Sequence, residues 1–151
     1  MRREDRKIEG IEGIEILNNG EYGILSMCTP GNEGYGIPLN YAFSNNVIYF
    51  HCALEGSKIE FLKNNNKVSF CVVGKTKLLP SSFGTLYESA VVSGFTSEVS
   101  DMEKTEALKL IIDKYSGEFK TEGLNYMAKL FNRVKIIKLN ISSVTGKARK
   151  N

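Results

Sequence analysis

Tyr35-Gly36-Ile37-Pro38-Leu39-Asn40-Tyr41-Ala42-Phe43-Ser44, then Asn45-Asn46, then Val47-Ile48-Tyr49-Phe50-His51-Cys52, is the stretch that decides the fold class. Two runs rich in aromatic and β-branched residues flank a pair of asparagines. Asn tolerates positive φ, so the pair reads as a two-residue hairpin turn. The flanking runs then read as strands, Tyr35 to Ser44 and Val47 to Cys52. Pro38 has no N–H to give to a ladder, so its strand must lie at an edge, carry a bulge, or break there.

The same pattern continues on both sides. Tyr22 to Thr29 is an earlier strand, closed by the turn Pro30-Gly31-Asn32-Glu33-Gly34. After Cys52 a glycine-containing loop leads to a short helix from Ser57 to about Asn65, with Ser57 as N-cap and Glu60 as its capping-box partner. Lys67 to Leu78 and Thr85 to Val99 are the fourth and fifth strands. Ser100-Asp101-Met102-Glu103 is a second capping box. It opens a helix to about Tyr115, with Leu108, Ile111 and Ile112 facing the core. A further short helix covers Leu124 to Phe131, and Val134 to Ile141 is the sixth strand. At the start, Ile8, Ile11, Ile14 and Leu17 recur at helical spacing, so residues 1–20 read as a helix stopped by a left-handed Gly20.

Six strands with few, peripheral helices do not alternate as βαβ units, which argues against a doubly wound nucleotide-binding fold. The expectation is a single mainly β domain over residues 1–151. It has an N-terminal helix (1–20), a six-stranded antiparallel barrel with inserted helices (21–141), and a basic tail (142–151).

A chain of 151 residues can bury a sizeable core without disulfides or metals. Its three cysteines, Cys28, Cys52 and Cys71, form no Cys-x-x-Cys pair and sit in apolar runs, so they read as small buried hydrophobes. No metal site is expected. No apolar run nears the ~20 residues of a membrane span, and the charged start lacks the apolar stretch of a signal peptide, so the expected place is the cytoplasm. The net charge is only +3, from basic clusters at Arg2, Arg3, Arg6 and Lys7 and at Lys147, Arg149 and Lys150. Nucleic-acid binders carry denser patches with interleaved aromatics, so no nucleic-acid partner is expected. The N-terminal cluster reads as a solubility feature.

Neither a GxGxxG, a Walker sequence nor a Gly-x-Ser-x-Gly elbow occurs. The single His, His51, ends its strand just before the loop, on the face of Val47 and Tyr49. Seven residues on, Ser57 and Lys58 open a helix, whose free N–H groups and dipole favour an anion such as phosphate. A capping Ser beside a solvated Lys is the plainer reading. The unpaired backbone near Pro38 could meet a flat heteroaromatic ring, or only kink the sheet.

Taken together, YGIPLNY (35–41), IYFHCALEGSK (48–58), VSFCVVGK (68–75), YES (87–89) and GKARK (146–150) resemble the FMN-binding split-barrel family related to pyridoxamine 5′-phosphate oxidase, and within it the nitroimidazole-resistance (Nim-type) flavoproteins. The resemblance spans nearly the whole chain. It implies a split β-barrel, and a homodimer with FMN at the subunit interface. Ring contacts would fall on Ile37, Pro38, Leu39, Asn40 and Tyr41, with Phe50 and His51 beside the ring and ribityl chain. Ser57 and Lys58 match the phosphate position, Ser standing where the oxidases carry Arg. Lys147 or Arg149 would then supply a further cation. Tyr87 and Ser89 match contacts of the fifth strand. The Arg-x-His set that grips the vitamin is absent from Lys138-Leu139-Asn140-Ile141. The resemblance therefore points to an FMN-dependent oxidoreductase that reduces a nitroaromatic or similar small acceptor, with His51 at the reaction site. A non-catalytic flavin or haem carrier or sensor is the alternative. A nucleic-acid-binding barrel ranks below both.

Overall fold

The computed structural model of the chain describes residues 3–151. The part of the expected first helix on Met1 and Arg2 lies outside them. Among the described residues the elements run β1 (Lys7–Ile8), α1 (Gly10–Asn19), β2 (Gly23–Cys28), β3 (Gly34–Leu39), β4 (Ala42–Ser44), β5 (Val47–Cys52), α2 (Ser57–Asn64), β6 (Lys67–Leu79), β7 (Gly84–Val99), α3 (Asp101–Ser116), α4 (Lys120–Leu130) and β8 (Lys135–Arg149). Asn45 and Asn46 have φ of 50° and 62°. They form the tight turn read from the sequence, with Ser44 opposite Val47.

The strands form one antiparallel sheet of eight, ordered β3-β2-β6-β7-β8-β5-β4, with β1 added on β8. The end strands β3 and β4 do not pair, so the sheet is open. This corrects the expected six-stranded split β-barrel in strand number and in closure. One cause is the run Tyr35–Ser44, which yields two strands at opposite ends of the sheet. The break falls at Asn40-Tyr41, and a tyrosine of α3 holds it. The Tyr41 N–H donates to the Tyr115 hydroxyl at 2.9 Å, and that hydroxyl lies 2.6 Å from the Glu21 carbonyl and 3.0 Å from the Tyr41 carbonyl. With both backbone groups of Tyr41 engaged by a side chain, the ladder stops. The other cause is β1, which the sequence placed inside a helix. The last strand also runs on past Ile141 to Arg149, where a polar tail was expected.

Helix starts and stops differ in detail. Ile11 is 78% exposed, and α1 buries Gly13, Ile16 and Leu17 instead. Gly20 is extended, not left-handed. A Cβ there would lie 2.3 Å from a Val72 methyl, so close approach is what selects glycine. Neither Ser57 nor Ser100 caps its helix through its side chain. Gly56 opens α2 with φ 127°, a conformation that L side chains rarely adopt.

Alternate strand residues point inward to one core: Leu25 and Met27, Ile48 and Phe50, Val68, Phe70 and Val72, Ala90 and Val92, Ile137 and Leu139. Ile16 and Leu17 of α1 and Ile59 and Leu62 of α2 fill it from two sides. Tyr41 is wholly buried there, its hydroxyl donating to the Leu17 carbonyl at 2.6 Å and its ring edge-on to Phe70. On the opposite sheet face α3 packs through Ala107 against Val99 and Ile136.

Lys114 of α3 sets up a pH effect. Its Nζ is buried without a hydrogen-bond partner, 3.8 Å from the centre of the Tyr41 ring. Burial pulls its pKa from the usual 10.5 down to about 8. Between those values the unfolded chain holds more protons than the folded one, so this group makes stability rise with pH across that window. Lys114→Met keeps the ring contact and deletes the charge. Urea denaturation should find the variant more stable than wild type at pH 7, with the gap narrowing as pH rises above 8. A gap of constant size would show that the ammonium is not strained by burial.

Candidate functional site

The sequence-selected residues fall into two groups. The first lies on β3, the end of β5 and the start of α2. β3 pairs only with β2, Pro38 opposite Ile24, so its other edge is unpaired. Ile37 and Leu39 turn toward the core, while Pro38 and Asn40 are exposed. The α2 helix is tied to this edge by Phe61, whose ring stands edge-on to Tyr35 at 5.3 Å. It is tied to β5 by Lys58, whose Nζ lies 5.8 Å from the centre of the Phe50 ring. α2 thus touches both the β3 edge and β5 near its end. Tyr41 and Phe50 are wholly buried, while His51 and Ser57 are exposed.

The electrostatics of this group favour an anion. Lys58 is half-buried, and among the described residues no carboxylate pairs with it. Its pKa is lowered by burial. The His51 ring is reachable by solvent but crowded by protein. That desolvation, and then the Lys58 ammonium, hold its pKa below the usual imidazole value. Near neutral pH His51 is therefore neutral, with one ring N–H to donate. Cys52 is buried, and burial pushes its thiol up. Cys28 and Cys71 are half-buried, less so than the sequence suggested.

The second group lies on β7 and β8. Tyr87 stands opposite Arg149 and Ser89 opposite Lys147. The Ser89 hydroxyl donates to the Lys147 carbonyl at 3.5 Å, a long contact. His51 pairs with Ile136 at one end of β8, and Lys147 lies eleven residues farther along. At about 3.3 Å per residue, that is up to roughly 36 Å of strand. Within one chain, then, the two groups occupy opposite ends of the same strand.

Sequence reasoning missed Arg6 and Lys7. The structure carries them to the second group, because Lys7 pairs with Lys147 and Ile8 with Gly146. A two-residue strand is too short to leave a periodic signal. Gly146 was the available hint, since a Cβ there would lie 2.4 Å from Ile8 Cγ1.

Among the described residues, no helix is long and apolar enough to cross a membrane, and no group of three or more His, Cys, Asp or Glu side chains gathers to hold a metal ion. Residues 12–148 match the family model described as pyridoxamine 5′-phosphate oxidase. No curated protein matches the chain. Among solved structures, a Bacteroides thetaiotaomicron protein named for 5-nitroimidazole antibiotic resistance is 25% identical with a TM-score of 0.77, over 94% of this chain and 86% of that one. A flavocytochrome from Azotobacter vinelandii is 17% identical with a TM-score of 0.83, over 100% and 72%. An FAD-binding protein from Mycobacterium smegmatis is 15% identical with a TM-score of 0.68, over 94% and 96%. At their identities the last two speak for the fold alone. The family match covers most of the chain, and so the chain belongs to the pyridoxamine 5′-phosphate oxidase family, in which it is similar to the nitroimidazole-resistance type.

Proposed function

We propose that this chain is a flavin-dependent oxidoreductase that binds FMN and reduces a nitroaromatic or similar small acceptor. The observation that carries the reading is Lys58, an ammonium without a carboxylate partner at the start of α2, beside an unpaired strand edge. A phosphate fits there chemically. The Ser57 hydroxyl is exposed, and the first N–H groups of α2 have no partner within the helix. The edge of β3 suits the flavin ring, through its backbone and the exposed Pro38 and Asn40. Similarity to a protein named for 5-nitroimidazole resistance supports the acceptor class.

The flavin, when bound, supplies the redox chemistry. The chain's part is to hold it, exclude water and orient the acceptor. His51 donates its ring N–H to the acceptor as a neutral imidazole, the form that desolvation and Lys58 favour.

A homodimer belongs to the same reading. The distance between the two groups within one chain leaves Tyr87, Ser89, Lys147 and Arg149 free to complete the site of a second copy. The outer sheet face has apolar residues for that contact, with Ile24, Cys71 and Val91 in one cross-strand row and Phe95 47% exposed nearby.

The purified protein should be yellow, with the spectrum of oxidised flavin and FMN as the released cofactor. A colourless protein that takes up no FMN would overturn the reading. The bound flavin, chemically reduced without oxygen, should be reoxidised by a 5-nitroimidazole. His51→Ala should slow that step at least tenfold and keep FMN bound. An unchanged rate would remove His51 from the mechanism, and flavin that stays reduced would favour a carrier.

A further inference from the structure

Four cations meet where β1 lies on the end of β8: Arg6, Lys7, Lys147 and Arg149. Lys7 and Lys147 are directly opposed across the β1–β8 ladder. Like charges facing each other across strands destabilise the pairing. Among the described residues no Asp or Glu pairs with any of the four, and Arg149 Nε donates to the Asn151 oxygen at 3.0 Å. An open cavity of about 610 Å³ borders the cluster, lined by Arg6, Lys7 and Arg149 among others. Its two carboxylates are already engaged, Asp5 by Arg3 at 2.6 Å and Glu12 by Lys150. Arg6 first, and then Lys147, hold the Tyr87 phenol below its usual pKa. Lys147 lies 6.0 Å from the centre of the Tyr87 ring.

Two glycines make the arrangement possible. Gly146 lets Ile8 lie flat on β8, and so brings Arg6 and Lys7 in. At Gly84 a Cβ would sit 2.4 Å from Arg149 Nη1, so glycine leaves room for that guanidinium.

We propose that Arg6, Lys7, Lys147 and Arg149 form a binding site for the diphosphate group of a nucleotide. Charge and span select a diphosphate over a single phosphate. Lys147 and Arg149 share a strand face with their backbones about 7 Å apart, and Lys7 stands opposite Lys147, so the positive charge is spread over a length that two linked phosphates fill. A chain of two phosphates reaches across. Arg149 offers a planar fork for one of them, and the lysines act as point charges. The inference goes beyond the FMN reading, in which a single phosphate rests on Lys58, and Lys147 and Arg149 only complete the site of a second copy. Two sources share this chemistry: the diphosphate of a dinucleotide flavin, or that of a separate nucleotide.

Calorimetric titration with inorganic pyrophosphate at low salt tests the site. Arg6→Ala with Lys7→Ala should weaken binding at least tenfold, and Arg6→Lys with Lys7→Arg should retain most of it. Both positions are at the surface, so the fold should tolerate either change; matching circular dichroism spectra check this. Raising the salt should weaken the wild-type binding. Prior saturation with FAD separates the sources. Loss of pyrophosphate binding assigns the site to the flavin's diphosphate, and binding that persists, and that ADP reproduces, assigns it to a second nucleotide. A wild type that binds no pyrophosphate, or an alanine double variant that binds it equally, overturns the proposal. If the protein takes up no flavin but the variants still alter pyrophosphate binding, this site stands and the flavin reading falls.

Discussion

Gly94→Ala should destabilise the protein by about 3 kcal/mol or more, at the upper end of what overpacking a closed core site costs. A Cβ at Gly94 would lie 2.0 Å from the backbone oxygen of Asn140 and 2.9 Å from a Leu139 methyl. The first of these is main chain, so no side-chain rotation relieves the clash. Gly94 also sits at the irregularity between β7 and β8, where Ser93 faces Ser143 but Gly94 faces Ile141. One extra residue of β8 is accommodated there, and the long strand bends. β7 and β8 are the longest pairing in the sheet and join its two halves. Chemical denaturation should show the loss. Gly34→Ala is the control, since a Cβ there meets nothing within 4 Å and stability should shift by less than about 1 kcal/mol. Equal effects at the two positions would mean that the strand, not the close approach, is what glycine serves.

Lys58→Ala should weaken FMN binding by roughly 10- to 150-fold, the ~1.5–3 kcal/mol of a charge-assisted hydrogen bond. Riboflavin, which has no phosphate, should bind the variant and the wild type about equally. That contrast isolates the phosphate from the ring. Lys58 lies over the Phe50 ring, so removing it also trims packing. Lys58→Met keeps the stem and should match the alanine variant in FMN affinity if charge is what matters. Parallel losses for FMN and riboflavin would place Lys58 under the ring and not at the phosphate.

The legible part of the fold was local. Asn45-Asn46 specified a turn because both residues accept positive φ, and the strands on either side, Val47–Cys52 above all, showed in their composition. Pro38 marked an edge strand because it cannot donate to a second ladder. Alternation put His51 on the face of Val47 and Tyr49, and burial along the strand alternates accordingly, with Phe50 and Cys52 buried and His51 exposed. Ser57 and Lys58 were found at a helix start. The capping role given to Ser57 fails, however, because Gly56 already supplies the bend at φ 127°.

Other features depend on partners far away in the chain. The break at Asn40-Tyr41 is made by Tyr115, 74 residues on, and that break separates β3 from β4 and leaves the sheet open. Residues 142–149 are mostly polar and look like a tail, but β7 pairs with them along most of their length, and Val144 and Ala148 turn inward. Backbone hydrogen bonds need no hydrophobic pattern, so such pairing leaves little trace in composition. Arg6 and Lys7 read as a solubilising cluster until β1 docks on β8 and sets them against Lys147. The sequence by itself thus determined the local elements, the strand face shared by His51 and Tyr49 and the Lys58 helix start, because backbone sterics and side-chain alternation act within a few residues. Only the tertiary structure decided that the sheet stays open and that Lys7 comes to face Lys147, because both rest on pairings between segments up to 140 residues apart.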